Sequence, residues 1–398
     1  MRILLAQDSD WVMRNPVQQH HLAERMISRG HEVRVIDYDI LWKDRSRKEL
    51  LSKREIFHVS KVLEGVNVTV IRPSILRIRY IEYLSMLFTY SREIKRQMDE
   101  FNPDIVIGNS ILSNFMLMRR AQRKGIPFVI LLVDAEHTLI PSKWLRPTGK
   151  MIEGRLLRKA NLVIVINEPL REYAIAMGAA RPRTMVIRAG IDPKRYNPEV
   201  DGNNIRSEYG IDQRDKVLFF MGWLYHFSGL KELARQLCKV KNPRMKLFIV
   251  GEGDAYKDLQ GIVEQYGLRD RVILAGRQPY SDIPGFIASA DICLLPAYNN
   301  ATMRDIVPIK MYEYLAMGKP VISTDLPGIR QEFGENHGVI YVSGPSEVLN
   351  KALNMFEDGS VESEGRKGRE FMKGKDWDKV VREFEDLLSL AIRTRRKK

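Results

Sequence analysis

Cysteine is almost missing from this sequence: two residues, Cys238 and Cys293, in a chain of 398. Neither stands in a CxxC or Cys/His spacing, which excludes a disulfide framework and a cysteine zinc site and leaves both expected as reduced core residues. Long hydrophobic runs are missing too. No apolar stretch reaches the ~18 residues of a spanning helix, and the start MRILLAQDSDW lacks a basic segment followed by a long apolar one. A cytoplasmic protein is therefore expected. No internal repeat and no low-complexity tract stands out beyond the basic end RTRRKK, and composition rules out collagen-like and wholly disordered chains.

What is present is a net charge of +14, unevenly spread. Residues 1–200 hold 34 Lys+Arg against 22 Asp+Glu, a surplus of +12, while residues 201–398 hold 30 against 28. Such asymmetry suggests an anionic partner for the front half: nucleic acid, a membrane surface or a phosphorylated substrate. No helix-turn-helix, ribonucleoprotein or zinc-finger signature accompanies the charge, so specific nucleic-acid binding is not expected.

The length suggests two domains, at roughly 100–200 residues each. Short apolar runs alternate with amphipathic stretches throughout. MRILLAQ, HEVRVIDY, DIVIGNS, FVILLVDA, LVIVINE and TMVIRAG read as strands of a first series; KVLFFMGW, MKLFIVGEG, RVILAGR, ICLLPAY, KPVISTD and HGVIYVS read as strands of a second. Nearly continuous Val/Ile/Leu strands belong to parallel sheets covered on both faces. Two such series imply an α/β protein of two doubly wound, Rossmann-like domains facing a cleft, with ligands at the carboxyl ends of the strands. The expected divisions are a first domain over 1–198, a linker over 199–215, a second domain over 216–376, and a helix with basic tail over 377–398 that returns toward the first domain. The stretch RIRYIEYLSMLFTYSREIKR, 77–96, interleaves basic residues with aromatics and aliphatics. It fits an ordinary buried amphipathic helix with snorkelling arginines better than a helix resting on a membrane or accepting a lipid chain.

The most informative segment is ASADICLLPAYNNATMRDIVPIKMYEYLAMGKPVISTDLPGIRQEF, 288–333. A strand ends near Pro296, a polar loop follows, and a helix opens near Pro308 and closes at Gly318. A loop feeding a helix N-terminus is a natural phosphate site. Lys310 in that first turn opposes the helix dipole, a penalty that a bound anion reverses. Glu313, on the same side of the helix, can accept hydrogen bonds from sugar hydroxyls; a plain surface Lys–Glu pair fits the spacing as well.

This segment resembles the donor-binding region of GT-B glycosyltransferases, in particular the retaining enzymes of family 4 (group 1). Their two acidic residues separated by seven are matched by Asp305-IVPIKMY-Glu313, followed by YLAMGKPVIST. RLLRKANLVIVINEPLREYAIAMG, MVIRAGIDPKRYNP and VGEGDAYKDLQGIVEQYGLRDRVILAGRQPYSDIPGFIASADICLLP extend the likeness over most of the chain. The resemblance implies sugar transfer from a nucleotide diphosphate sugar with retention of configuration and no metal requirement. It assigns Glu313 to the ribose and Asp305 to the transferred sugar, and it brings Arg277 near the base. An anionic membrane surface or a lipid-linked saccharide then becomes the expected acceptor side, with polysaccharide or glycolipid biosynthesis as the setting and a peripheral position on the cytoplasmic membrane face.

Three departures accompany it. The charged pair that clamps the diphosphate is replaced in the loop Gly222-WLYHFS-Gly229, where Trp223 and Ser228 stand instead. Gly222, Ser228, Gly229 and Lys310 are the expected substitutes. The glycine-rich loop after the first strand is replaced by DSDWVMRNP, so Arg14, Asn15 and Gln18 are expected on the acceptor side. The family's histidine after a middle strand of the first domain is replaced by Val133-Asp134, leaving Asp134 and His137 as catalytic candidates. Asp8-Ser9-Asp10 and Asp37-Tyr38-Asp39 each satisfy a DxD metal motif but are not expected to bind one. Two rivals share the fold: a nucleotide-sugar epimerase, and a non-catalytic partner subunit favoured by the missing charged pair and histidine.

Overall fold

The computed structural model describes residues 1–39, 49–78, 81–140, 142–300 and 302–396. Residues 79–80 of the basic aromatic stretch, Ala301 of the polar loop and the last two lysines lie outside them. The chain divides into two compact units, Met1–Arg188 with Asp378–Lys398, and Ala189–Trp377.

The first unit runs β1 (Arg2–Gln7), α1 (Gln18–Ser28), β2 (Glu32–Ile36), β3 (Glu55–Val59), β4 (Val68–Arg72), α2 (Ile81–Glu100), β5 (Ile105–Asn109), α3 (Ile111–Lys124), β6 (Phe128–Leu132), α4 (Arg146–Lys159), β7 (Leu162–Val165), α5 (Glu168–Ala176) and β8 (Thr184–Val186). Its eight strands lie in the order β3-β4-β2-β1-β5-β6-β7-β8. The six apolar runs read as strands are β1, β2, β5, β6, β7 and β8. The two further strands, β3 and β4, form an antiparallel pair at one edge. EIFHV of β3 is half exposed along its length and carries Glu55 and His58, so it lacks the continuous apolar signature of a covered strand.

The second unit runs α6 (Asn203–Glu208), β9 (Lys216–Met221), α7 (Leu230–Leu237), β10 (Met245–Val250), α8 (Tyr256–Gln265), β11 (Val272–Gly276), α9 (Ile283–Ala288), β12 (Ile292–Leu295), α10 (Ile309–Ala316), β13 (Val321–Thr324), α11 (Pro327–Phe333), β14 (Val339–Val342), α12 (Pro345–Glu357) and α13 (Val361–Met372). All six strands are parallel, in the order β11-β10-β9-β12-β13-β14. Each sheet reverses its strand order once near the middle, between β1 and β5 and between β9 and β12, which is where open α/β sheets bind ligands.

Two expected boundaries move. The second unit begins at Ala189, and residues 199–215 are part of it rather than a linker. The Arg206 guanidinium of α6 donates to the Ser289 carbonyl at 2.9 Å and pairs with Asp291 at 3.2 Å, and a Cβ on Gly202 would lie 2.3 Å from the Ser289 nitrogen. The final helix, α14 (Trp377–Arg396), rejoins the first unit as expected. It buries Val381, Phe384, Leu388 and Ala391 along one stripe, and Glu385 pairs with Arg29 and His31 of the α1–β2 turn. Cys293 is buried in β12, but Cys238 is exposed at the end of α7, where its thiol donates to the Arg235 carbonyl. It was expected in the core because its neighbours are apolar; the helix turn that carries it faces outward.

Three of the four DxD carboxylates, Asp10, Asp37 and Asp39, are absorbed by a buried ion network at the carboxyl ends of β1, β2 and β4. Arg72 donates to Asp10 at 2.7 Å and through Nε to Asp37 at 3.0 Å, with a second, shorter bond from Nη2 to Asp37; Arg77 reaches Asp39 at 3.3 Å. Arg72, Asp10, Asp37 and Asp39 are all at most 4 % exposed. Burial dominates there, lifting Asp37 to about 6 against the pull of Arg72. Removing one partner strands the others in low dielectric. Arg72→Ala should therefore cost about 3–5 kcal/mol in urea or guanidinium unfolding, whereas loss of an exposed pair such as Arg181–Glu172 should leave the midpoint almost unchanged.

Candidate functional site

Both loops at the β9/β12 reversal come from the segments singled out in the sequence. Gly222 leaves β9, and its backbone is zipped to the turn after β10: Gly222 N–H donates to the Val250 carbonyl at 2.9 Å, and Leu224 N–H donates to the Glu252 carbonyl at 2.9 Å. A Cβ on Gly251 would sit 2.0 Å from the Gly222 carbonyl oxygen. At the other end of the loop, Gly229 (φ 75°) precedes α7, and a Cβ there would lie 1.9 Å from the Pro296 carbonyl oxygen. Glycine is thus required by close backbone approach as well as by the positive φ. Between them Ser228 is buried, Tyr225 and Phe227 stack at 4.7 Å, and the Trp223 indole N–H reaches Asp254 at 3.3 Å.

α10 opens after Pro308, which stands at the cap rather than inside the helix. Its second residue, Lys310, turns back to the end of β9. Its Nζ donates to the Met221 carbonyl at 2.9 Å and lies 3.9 Å from the centre of the Phe220 ring. The position of a Cβ on Gly222 is 3.2 Å from that Nζ. Burial lowers the Lys310 pKa to about 7, with Glu313 acting against the shift. One carbonyl and one ring face do not replace the water that an ammonium loses, so the group is poised to gain from a bound anion.

One turn later Glu313 is 5 % exposed. Its Oε1 accepts from the Tyr196 hydroxyl at 2.6 Å and from the Tyr280 hydroxyl at 3.3 Å. Burial raises its pKa, opposed by those two hydroxyls, Arg195 and Lys310. Both bonds fall on one oxygen, which fixes the carboxylate plane. Tyr196 and Tyr280 were not anticipated; Tyr196 lies in the quoted IDPKRYNP stretch, but nothing in its spacing announces a partner 117 residues away. Asp305 sits in the loop before α10, its side chain about half exposed and 3.7 Å from Arg304. Its backbone is pinned against the start of α11: Gly328 N–H donates to the Arg304 carbonyl at 2.7 Å. Arg277, after β11, pairs with Glu252 at 3.5 Å, beside the glycine turn after β10.

The remaining candidates lie in the first unit. Asp134 follows β6, and burial raises its pKa to about 6 against the pull of Arg14. His137 is on the helical turn Glu136–Leu139. Its Nδ1 lies 2.8 Å from Glu153 and 3.0 Å from the Tyr173 hydroxyl, and Glu153 also accepts the backbone N–H groups of Glu136 and His137 at 3.3 and 3.2 Å. One ring nitrogen of His137 is thereby committed to holding this turn. Arg14 and Asn15 are exposed, and the Arg14 carbonyl accepts from Lys61 at 3.0 Å. Gln18 differs: it is 4 % exposed and donates to the Ile187 carbonyl at 3.0 Å, tying α1 to the segment after β8. Its buried amide serves the fold. Among the described residues no group of three His, Cys, Asp or Glu is placed to hold a metal ion.

The glycine at 229 gives a direct check on the loop packing. Gly229→Ala should lower stability by more than about 2 kcal/mol, since both φ and the Pro296 carbonyl must shift. Gly261→Ala, in open space on α8, should stabilise slightly or leave the midpoint unchanged in the same thermal or chemical melts.

The model of the glycosyl transferases group 1 family matches residues 201–388, and that of the glycosyl transferase 4-like domain matches residues 17–190. An alpha-D-kanosaminyltransferase of Streptomyces kanamyceticus is 24% identical over 221 residues, covering 52% of this chain and 55% of that enzyme, so the chain spans about half the length of this curated relative. Among solved structures, the sucrose-phosphate synthase of Thermosynechococcus elongatus superposes with a TM-score of 0.76 at 17% identity, over 99% of this chain and 100% of that one. Anabaena HepE in complex with UDP-glucose gives 0.72 at 17% identity, over 97% and 99%. The 4-like match ends at residue 190, near the boundary between the units, the group 1 match covers residues 201–388, and the sheets are those of the GT-B fold. The chain belongs to the group 1 glycosyltransferases of GT-B type.

Proposed function

We propose that this glycosyltransferase moves a hexosyl or related sugar from a nucleoside diphosphate sugar to a membrane-associated or lipid-linked saccharide, with retention of configuration. The observation that carries the donor half is the under-solvated ammonium of Lys310 at the opening of α10, one turn from the buried, tyrosine-held carboxylate of Glu313. Bond cleavage at the anomeric carbon leaves negative charge on the diphosphate, and catalysis needs that charge stabilised more than the ground state. Lys310 and the first N–H groups of α10 supply this without a metal ion. Glu313 receives the ribose hydroxyls, Asp305 orients the sugar, and Arg277 lies toward the base. HepE binds UDP and UDP-glucose on a similar fold, which puts uridine first among the bases.

Calorimetry of the full chain with UDP, GDP and ADP tests this reading, with UDP expected to bind tightest. Lys310→Met should weaken that binding by about 10–100-fold, the loss of one charge-assisted hydrogen bond. The pH dependence has a fixed sign. The diphosphate binds the protonated lysine, whose pKa in the free protein is about 7. Affinity should hold below that pH and fall by up to about tenfold per unit above it, and Lys310→Met should flatten the profile. Slow hydrolysis of UDP-glucose without acceptor supports transfer; formation of an epimer, or no nucleotide binding at all, favours the two rivals. The anomeric coupling of the product, read by NMR, checks retention.

Support for the membrane side comes from apolar groups left in water. Leu84 and Phe88 on α2 are 59 % and 77 % exposed, and Trp144, between Lys143 and Arg146, is 92 % exposed. The opposite face of α2 buries Met86, Tyr90, Ile94 and Met98, so this helix serves the core and leaves a second apolar face outside. Among the described residues no helix is long and apolar enough to cross a membrane. Co-sedimentation with vesicles should rise with anionic lipid content and fall in a Phe88→Asp, Trp144→Ser double variant; binding indifferent to lipid charge would remove this part of the reading.

A further inference from the structure

Glu313 uses its two oxygens differently. Oε1 takes both side-chain bonds, from the Tyr196 hydroxyl at 2.6 Å and from the Tyr280 hydroxyl at 3.3 Å. Among the described residues none donates to Oε2, yet that atom is not sealed in the interior. A buried carboxylate with one oxygen committed and the other open is a receptor for a hydrogen-bond donor.

Tyr196 is held for this contact from its own side. It is buried, and it ends a short turn in which its N–H donates to the Asp192 carbonyl at 2.9 Å while the Asp192 carboxylate accepts the Lys194 N–H at 3.1 Å. Ile191, just before the turn, donates its N–H to the Lys375 carbonyl at 2.8 Å, and its own carbonyl accepts from the Trp377 N–H at 3.0 Å. Arg195 lays its guanidinium 4.7 Å from the centre of the Tyr280 ring, so one short segment braces both phenols. A phenylalanine would fill the space of the Tyr196 ring without needing a polar partner; the hydroxyl is therefore the informative atom.

The charges follow this geometry. Burial raises the pKa of Glu313, and the Tyr196 hydroxyl opposes it most, ahead of Tyr280, Arg195 and Lys310. Burial and the carboxylate together push both phenols up, so each keeps its proton and stays a donor. Tyr314, next on α10, is likewise held neutral by burial, and its hydroxyl accepts the Met221 N–H at 2.9 Å. Phenol bonds to an ionised carboxylate favour the ionised form. An ionised Oε2 holds a hydroxyl roughly twice as strongly as a neutral acid does.

We propose that Tyr196 is a positioning residue for ribose selection: its hydroxyl, with that of Tyr280, commits Oε1 of Glu313 to the fold and presents Oε2 as the acceptor for a ribose hydroxyl of the donor. The diol does not straddle the two oxygens as it would on an open carboxylate, so selection rests on a single atom. A nucleotide that lacks the hydroxyl leaves Oε2 buried and unpaired, and the site disfavours it for that reason. The enzyme thus takes ribonucleoside diphosphate donors over their deoxy forms. This rests on the assignment of Glu313 to the ribose, and it adds the residue that makes the carboxylate selective.

The test reads one ratio as a function of pH: the affinity of the full chain for UDP over that for the weaker-binding of 2′-deoxy-UDP and 3′-deoxy-UDP, by calorimetry. The diphosphate, the base and the charges of Lys310 and Arg195 act on both nucleotides and cancel in the ratio. The parent should prefer UDP by about 10–100-fold, one charge-assisted hydrogen bond, and lose the preference on acidification as Glu313 takes up a proton. Tyr196→Phe should still bind UDP, but with the ratio at neutral pH lowered by about threefold or more. It should also lose the preference at a higher pH than the parent, because the bond that most favours the charged carboxylate is gone. A Tyr196→Phe chain with the parent's ratio and midpoint, or one that no longer binds UDP, overturns the proposal, since a hydroxyl that only positions Glu313 leaves the diphosphate site standing. A parent that binds UDP without preferring it to either analogue overturns the assignment of Glu313 to the ribose, and one that binds no nucleotide overturns the donor reading; the proposal falls with either.

Discussion

No atom fits between Gly229 and the Pro296 carbonyl, nor between Gly251 and the Gly222 carbonyl, and the second unit is organised around those two contacts. They bring the loops leaving β9, β10 and β12 together at the place where the sheet reverses its order. With the loops pinned backbone to backbone, α10 must start where Lys310 reaches the end of β9. A side chain at either glycine would push the loops apart by more than an ångström, a displacement that a close-packed interior does not absorb.

The same approach explains why two ionisable groups are tolerated in costly positions. Lys310 holds one carbonyl and one aromatic face, and Glu313 holds two phenolic hydroxyls on one of its oxygens. Each arrangement is incomplete as a structural ion pair. The buried network at Arg72 shows the contrast: there the guanidinium meets Asp10 and Asp37 directly, within hydrogen-bond distance of both. There the carboxylates face a guanidinium of opposite charge and serve the fold. Groups whose burial is only half compensated mark the places where a ligand completes the coordination.

The two units use their sheet edges differently. In the second, the loops at the β9/β12 reversal present a cation and helix N–H groups, suited to phosphate. In the first, the segments after β1 and β6 carry the carboxylates Asp8, Asp134 and Glu136. Potential at a buried site is set by the few groups within reach of it and scarcely by the screened surface.

Most of the architecture was legible in the residues. Twelve apolar runs became twelve parallel strands, because strands of a sheet flanked by helices are rich in Val, Ile and Leu. The register of Asp305, Lys310 and Glu313 was legible for a related reason: a loop, a helix start and a helix turn are local, and spacing fixes them. β4, which lies between β3 and β2, is mostly buried, and its apolar residues Val68, Val70 and Ile71 were open to reading; edge strand β3 was not legible, since a half-exposed strand needs no continuous pattern. Nor were the boundary at Ala189, the exposure of Cys238 or the inward turn of Gln18, each set by which neighbour the fold delivers. Tyr196 finding Glu313 and Arg72 finding both Asp10 and Asp37 are of that kind. Sequence by itself determined what is periodic or local, the strands, the helix ends and the spacing of the donor motif. Tertiary structure alone decided which charges are paired and which are left wanting a partner, because burial and contact between residues far apart in the chain exist only once the sheets have formed.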